Sequence, residues 1–241
     1  MLRAFVPVAL AFALCPLVAA LAPTDPAGPL ARAQALAGFE RSLGLYFEPA
    51  VAAWFAARPA LLGVVEFLYV WGHVPATVGA LVWARLEHPG AFTRARDTFV
   101  ATQAVVVVGY LLMPTAPPRL LTGEVPDGGI VALLQSPYAA LPSGHVAFAI
   151  VTAGIVGTLA AWRWVRWAAP LYPLLVTLVV VGTANHFWID AVAGALAAAS
   201  GFVIARTRTR QLAIPRAAVA RTDGHVGPDP PARRARPASS P

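Results

Sequence analysis

Long apolar runs broken by short charged or proline-rich stretches recur along the chain, and their lengths match membrane-spanning helices. Six spans are expected. Phe5 to Ala22 is apolar throughout and follows Arg3, the pattern of a first spanning helix or of a signal peptide cleaved near Ala20 to Ala22. A retained helix is the reading adopted. Pro59 to Ala84, Thr98 to Met113, Pro142 to Trp162, Trp167 to Thr183 and Phe187 to Ala205 give the other five. Pro75 should kink the second. The third is short and should tilt little or extend into Asp97 and Pro114.

Between the first two spans, residues 23–58 mix Asp25, Glu40, Arg41 and Glu48 with Leu43, Leu45, Tyr46, Phe47, Trp54 and Phe55, which predicts amphipathic helices along the membrane surface. The loop Pro114 to Leu141 is rich in proline and glycine, with a short interfacial turn expected at Ile130 to Leu134. The chain thus divides into a first helix or signal peptide (1–22), an external amphipathic segment (23–58), a membrane core (59–205) and a basic tail (206–241) expected to be disordered and cytoplasmic. The fold class is an all-α polytopic membrane protein, a six-helix transmembrane bundle with interfacial helices.

Composition agrees, with 58% apolar and 12% charged residues. The formal charge of +7 comes from arginine alone, since the chain has no lysine, and the arginines cluster between apolar runs and in the tail. That placement argues for membrane orientation and against nucleic-acid binding. Arg85, Arg94 and Arg96, then Arg163 and Arg166, then Arg206 onward fall on one side, the cytoplasmic one. Arg32, Arg41, Arg58 and Arg119 fall on the other, with several acids. High Ala, Arg, Pro and Gly content points to a GC-rich bacterial genome, hence a multi-pass protein of the bacterial plasma membrane. The single cysteine, Cys15, excludes an intramolecular disulfide and a cysteine-based metal site, and Leu14 before it argues against lipidation.

Candidate chemistry lies where polar residues interrupt apolar runs. Asn185-His186-Phe187-Trp188-Ile189-Asp190 puts a histidine and an aspartate four residues apart. Such an acid costs about 2.5 to 3.5 kcal/mol at mid-membrane. On a helix the two face the same way, so Asp190 can hold one imidazole nitrogen of His186 and leave the other to attack phosphorus. A polar staple between spans is the alternative. Asn185 could cap the helix or contact substrate. Pro142-Ser143-Gly144-His145 opens the fourth span. Ser143 is the expected N-cap, free amides there make an anion site, and Gly144 permits close approach. His145 could act as general acid and then activate water, an effect of about 10²- to 10⁴-fold; a capping turn with a surface histidine is the bland account. Arg119, after Pro117-Pro118, offers paired donors to phosphate oxygens or simply anchors a helix end. Glu66 and His73, seven residues and two helical turns apart, should share one face, with Tyr69 nearby, and look into the bundle, where they shape a pocket or simply pack. The topology brings Arg119, Ser143 to His145, and Asn185 to His186 to one external, water-facing boundary.

These residues resemble the type 2 phosphatidic acid phosphatase superfamily, six-helix membrane enzymes that also include the vanadium-binding haloperoxidases. Tyr69-Val70-Trp71-Gly72-His73, Pro117-Pro118-Arg119 and Ala184-Asn185-His186 are most similar to the branch containing fungal inositol phosphorylceramide synthase and actinobacterial relatives. The likeness covers Pro59 to Ala205. It implies His186 as nucleophile forming a phosphohistidine, Asp190 as its orienting partner, His145 as acid and base, Arg119, Ser143 and Gly144 as phosphate binders, and neither metal nor cofactor. The chain departs from the general pattern at Leu112 and Val180, where the superfamily carries a lysine and an arginine. The expected partners are a lipid or polyprenyl phosphate, an alcohol acceptor if the reaction is a transfer of inositol type, and membrane lipids. The reading from a different class is a non-catalytic lipid-binding or transport protein in which the polar residues line a passage; internal inverted repeats would mark a transporter, and the chain shows none.

Overall fold

Helix boundaries follow the prolines and caps. In the computed structural model, which describes residues 2–123 and 136–222, a 3₁₀ turn at Leu2–Phe5 leads into α1 (Val6–Ala20). Residues 23–58 form α2 (Ala27–Ser42) and α3 (Glu48–Ala56), separated at Gly44, whose φ of +69° suits glycine. The expected turn at Ile130 to Leu134 lies outside the described residues.

The second span is α4 (Pro59–Phe67), a π-helical turn (Leu68–Gly72) and α5 (His73–Glu87). Pro75 accounts for the interruption. Its ring and missing N–H disrupt the bond to the carbonyl four residues earlier, at Trp71, and the wider π-turn absorbs the misfit. His88 alone separates α5 from α6 (Pro89–Leu112), so the expected basic loop is a tight corner, and Arg94 and Arg96 ride on the helix. The third span therefore begins well before Thr98. Its 24 residues run about 36 Å at about 1.5 Å per residue, placing these arginines at the opposite end from Pro114.

A short α7 (Pro118–Leu121) precedes α8 (Gly144–Leu159), α9 (Arg163–Ala168), α10 (Leu171–Gly182) and α11 (Trp188–Thr222). Among the described residues five helical stretches are long and apolar enough to cross a membrane: Leu2–Ala20, Pro59–Glu87, Pro89–Leu112, Arg163–Gly182 and Trp188–Arg208. The expected fourth span is the exception. Ser143 caps it later and Ala160 ends it earlier than Pro142 to Trp162, leaving 16 residues, about 24 Å. This helix is central, with Gly144 through Ala149, Val151, Thr152 and Ile155 all buried. The final helix continues past Ala205 to Thr222, where disorder was expected. The chain divides into two units within this helix, between Arg206 and Thr207.

Small residues face inward and large ones outward, as bilayer packing favours. Leu61, Phe67, Leu112, Leu174, Leu196 and Phe202 are exposed, while Ala80, Ala84, Ala147, Ala197 and Ala198 are buried. Trp162, Trp164 and Trp167 stand exposed at the α8–α10 connection, an aromatic group suited to a membrane boundary. A Cβ on Gly194 of α11 would lie 2.5 Å from the Ser143 carbonyl oxygen, and one on Gly201 would collide with Thr102 of α6. Polar staples add to this packing: Gln103 Nε2 donates to the Ala11 carbonyl at 3.0 Å, and Thr152 Oγ1 donates to Thr77 Oγ1 at 3.1 Å.

Candidate active site

Helix α10 ends in a turn that carries the key histidine. Ala184 takes the left-handed conformation at φ +51°, which costs a non-glycine residue roughly 1 to 2 kcal/mol. The reversal aims the amides of Asn185 and His186 back at the Val180 carbonyl, at 3.0 and 3.2 Å. Asn185 therefore closes α10 instead of capping α11. Its Nδ2 donates to the Thr183 carbonyl, and its Oδ1 accepts from Arg119 Nε at 2.9 Å.

The His186 ring has two partners on one nitrogen. Nδ1 lies 2.8 Å from the Ala140 carbonyl oxygen and 3.4 Å from Asp190 Oδ2. A carbonyl only accepts, so Nδ1 carries the proton and Nε2 keeps a lone pair. Asp190 was expected to be the holder; it is the more distant one. Its closer bond is from the Phe187 amide at 2.8 Å, and its own carbonyl accepts from Ser143 N at 2.9 Å. Asp190 thus ties the His186 turn to the start of α8. The Ala140 carbonyl is delivered by a parallel bridge, in which Thr115 N donates to Tyr138 O at 2.8 Å and Ala140 N donates to Thr115 O at 3.2 Å.

Around α8, Ser143 Oγ accepts from Val146 N at 3.4 Å, the expected N-cap. Gly144 differs from expectation, for its amide donates to the Tyr110 hydroxyl at 3.1 Å, and a Cβ there would stand 2.7 Å from that oxygen. The tyrosine hydroxyl thus takes up the close approach that the absent side chain allows. His145 stacks on Tyr69 with ring centroids 4.4 Å apart, tilts against His73 at 4.0 Å and meets His186 edge-on at 5.6 Å. The π-turn sets Tyr69 and His73 in this cluster. It also breaks the two-turn register on which Glu66 was placed, and Glu66 is exposed away from the site.

Arg119 is buried beside the same turn, its amide donating to the Ala184 carbonyl at 3.0 Å. The site is drier than a water-facing boundary: His186 is 1% exposed, Asp190 0% and His145 8%. A mostly apolar cavity of about 400 Å³ reaches the cluster, with Phe12, Val18, Val107 and Phe148 in its wall together with Tyr69, His73, Gly144 and His145. Among the described residues no three His, Cys, Asp or Glu side chains come together as a metal site.

Sequence reasoning missed four groups. The Ala140 carbonyl and the Ala184 conformation are backbone features with no side-chain signature. Glu40 and Glu48 were placed on a polar surface, yet Glu48 Oε1 accepts from Trp188 N at 3.0 Å and Glu40 Oε1 accepts from Ile189 N at 3.1 Å. The one available hint was two acids in a segment otherwise rich in large apolar residues.

No curated protein and no solved structure matches the chain. The family model of the PAP2 superfamily matches residues 34–204. That stretch takes in Arg119, all three clustered histidines, Asp190, Glu40 and Glu48, and the chain belongs to the PAP2 superfamily.

Proposed function

We propose that this membrane protein removes or transfers a phosphoryl-type group from a lipid or polyprenyl phosphate at the external membrane face, through a phosphohistidine on His186. Membership of a superfamily of phosphoric ester hydrolases supports the reaction class. The observation that carries the reading is the single-sided hold on His186. Both acceptors bind Nδ1, which leaves the Nε2 lone pair for phosphorus. As the Nε2–P bond forms and the P–O bond breaks, His145 gives the leaving oxygen its proton, and in the second step takes a proton from the attacking water or alcohol. Arg119, fixed by Asn185, stabilises charge on the phosphoryl oxygens. The apolar cavity at His145 suits the hydrocarbon part of such a substrate.

The burial of His186 and His145 favours an alcohol over bulk water as acceptor, since a dry site protects a reactive intermediate from hydrolysis. The inositol-type transferase is accordingly the second reading, and the motifs at Tyr69 to His73, Pro117 to Arg119 and Ala184 to His186 support it. Arginine placement, with Arg85, Arg94, Arg96, Arg163 and Arg166 on the cytoplasmic side, supports the external site. Phosphate release and head-group exchange by the detergent-purified protein, measured over a panel of lipid phosphates with and without inositol, test both readings. His186→Ala and His145→Ala should be inactive; turnover persisting in His186→Ala sinks the nucleophile assignment. Inertness of the native protein across the panel would favour the non-catalytic lipid-binding reading.

A further inference from the structure

Glu40 and Glu48 lie on α2 and α3, outside the membrane core, yet they are 0% and 1% exposed. Each uses one oxygen on a backbone amide between His186 and Asp190, Glu48 on Trp188 and Glu40 on Ile189. Together with Asp190, which takes the Phe187 amide, three carboxyls from three elements satisfy the amide just before α11 and its first two amides. Each external glutamate keeps its second oxygen, Oε2, buried and unbonded. Among the described residues, the ion pairs Arg96–Asp97 and His186–Asp190 include neither glutamate. The charged groups facing Glu40 are Glu48 from α3 and Asp190 from α11, both acidic.

Two carboxylates side by side in a dry site cannot both stay ionised without a cation. One shared proton resolves this, since a carboxyl Oε2–H donates to the facing carboxylate Oε2 and both orphan oxygens gain a partner. The remaining single negative charge then sits at the N-terminus of a helix, where the backbone dipole favours it.

We propose that Glu40 and Glu48 hold one proton between them and that this pair positions the His186–Asp190 turn, making the external segment a working part of the active site. Only its consequence for turnover rests on the nucleophile reading above; the shared proton does not. When the proton leaves, two negative charges repel across the Trp188 and Ile189 amides. Trp188 is also gripped by α3, its ring stacked on Phe47 at 6.2 Å, so movement of these helices carries to Phe187, whose amide holds Asp190. The Glu40 carboxyl is pushed up to about 8, first by burial and then by Glu48. The proton is therefore held below about pH 8 and lost as pH rises through about 8.

The test uses the full chain in detergent. Infrared difference spectra between about pH 6 and about pH 10 should show a protonated-carboxyl band that disappears at the higher pH. The band should be absent in Glu40→Gln and in Glu48→Gln and should survive in Asp190→Asn. A band unchanged in both glutamine variants overturns the shared proton, and this readout needs no substrate. In turnover, Glu40→Ala should lose roughly 10-fold or more in kcat with little change in KM. Glu40→Gln mimics the protonated acid and should recover most of that loss, while the alkaline fall of kcat moves up or vanishes. An alkaline limb identical to that of the native chain overturns the positioning role. Should Glu40→Ala not fold, the glutamine variants alone decide. If no lipid phosphate is turned over, the functional reading fails while the infrared result still judges the pair.

Discussion

His186 and Ala140, 46 residues apart, are joined at 2.8 Å from imidazole Nδ1 to peptide oxygen, closer than the 3.4 Å that separates the same nitrogen from Asp190. The peptide fixes the tautomer, and the carboxylate adds charge and anchors the turn. Asp190→Asn should therefore keep the ring oriented but lose the charge that stabilises an imidazolium-like transition state, lowering kcat by about 10²- to 10³-fold. His186→Ala should abolish the phosphoenzyme altogether. Trapping with radiolabelled substrate distinguishes the two, because Asp190→Asn should still label and His186→Ala should not.

Arg119 uses Nε on Asn185 Oδ1 at 2.9 Å, a bond that a lysine ammonium cannot reproduce in the same plane. Arg119→Lys should cost roughly 10²-fold in kcat/KM despite the retained charge. Asn185→Ala should reproduce part of this loss. Equal activity of Arg119→Lys and the native chain would remove Arg119 from phosphate binding.

Gly194 meets the Ser143 carbonyl where a Cβ would stand 2.5 Å away, and a backbone oxygen cannot swing aside. Gly194→Ala should destabilise by about 1 to 3 kcal/mol, read as a lower unfolding midpoint. It should also lower activity by displacing Ser143, whose amide bonds the Asp190 carbonyl. Gly79→Ala is the control, because no atom lies within 4 Å of a Cβ there.

Val107 lies in the cavity wall, on the third span. Val107→Trp should fill part of the roughly 400 Å³ and raise KM about 10-fold for long-chain lipid phosphates. A short-chain, water-soluble phosphate should be affected far less. Equal effects on both would mean that the cavity does not receive the chain.

The pH dependence of stability follows from Glu40. Its carboxyl rises from an ordinary 4.5 to about 8 on folding, so its contribution is complete below 4.5 and is lost as pH climbs through about 8. The unfolding midpoint should fall between about pH 5 and about pH 9, and Glu40→Gln should flatten that fall. A native midpoint that rises over this window would contradict the burial of a neutral acid.

Much of this was legible in the sequence because bilayer insertion demands long apolar runs, and any polar residue inside one stands out. Ser143 at its helix start and His186 with Asp190 stood out by that contrast, and Arg119 by following Pro117-Pro118 in a loop without another arginine. Other features depended on contacts far along the chain. Glu40 and Glu48 find their amides 149 and 140 residues away, so locally they resembled the polar face of a surface helix. Glu66 was misplaced because regular helical register was assumed through Leu68–Gly72, where the π-turn adds a residue. The third span was drawn too short because Arg94, Arg96 and Asp97 interrupt its apolar run, although Arg96 and Asp97 pair at 2.7 Å on the helix surface.

The parallel bridge at Thr115 has an evolutionary consequence. Thr115 is bonded to Tyr138 and Ala140, and Arg119 is separately bonded through its amide to Ala184, so both margins of the intervening segment are clamped before its interior begins. The carbonyl that tunes His186 belongs to the clamp. The tautomer of His186 thus rests on main-chain pairing, which a lineage can keep while the side chain at position 140 changes.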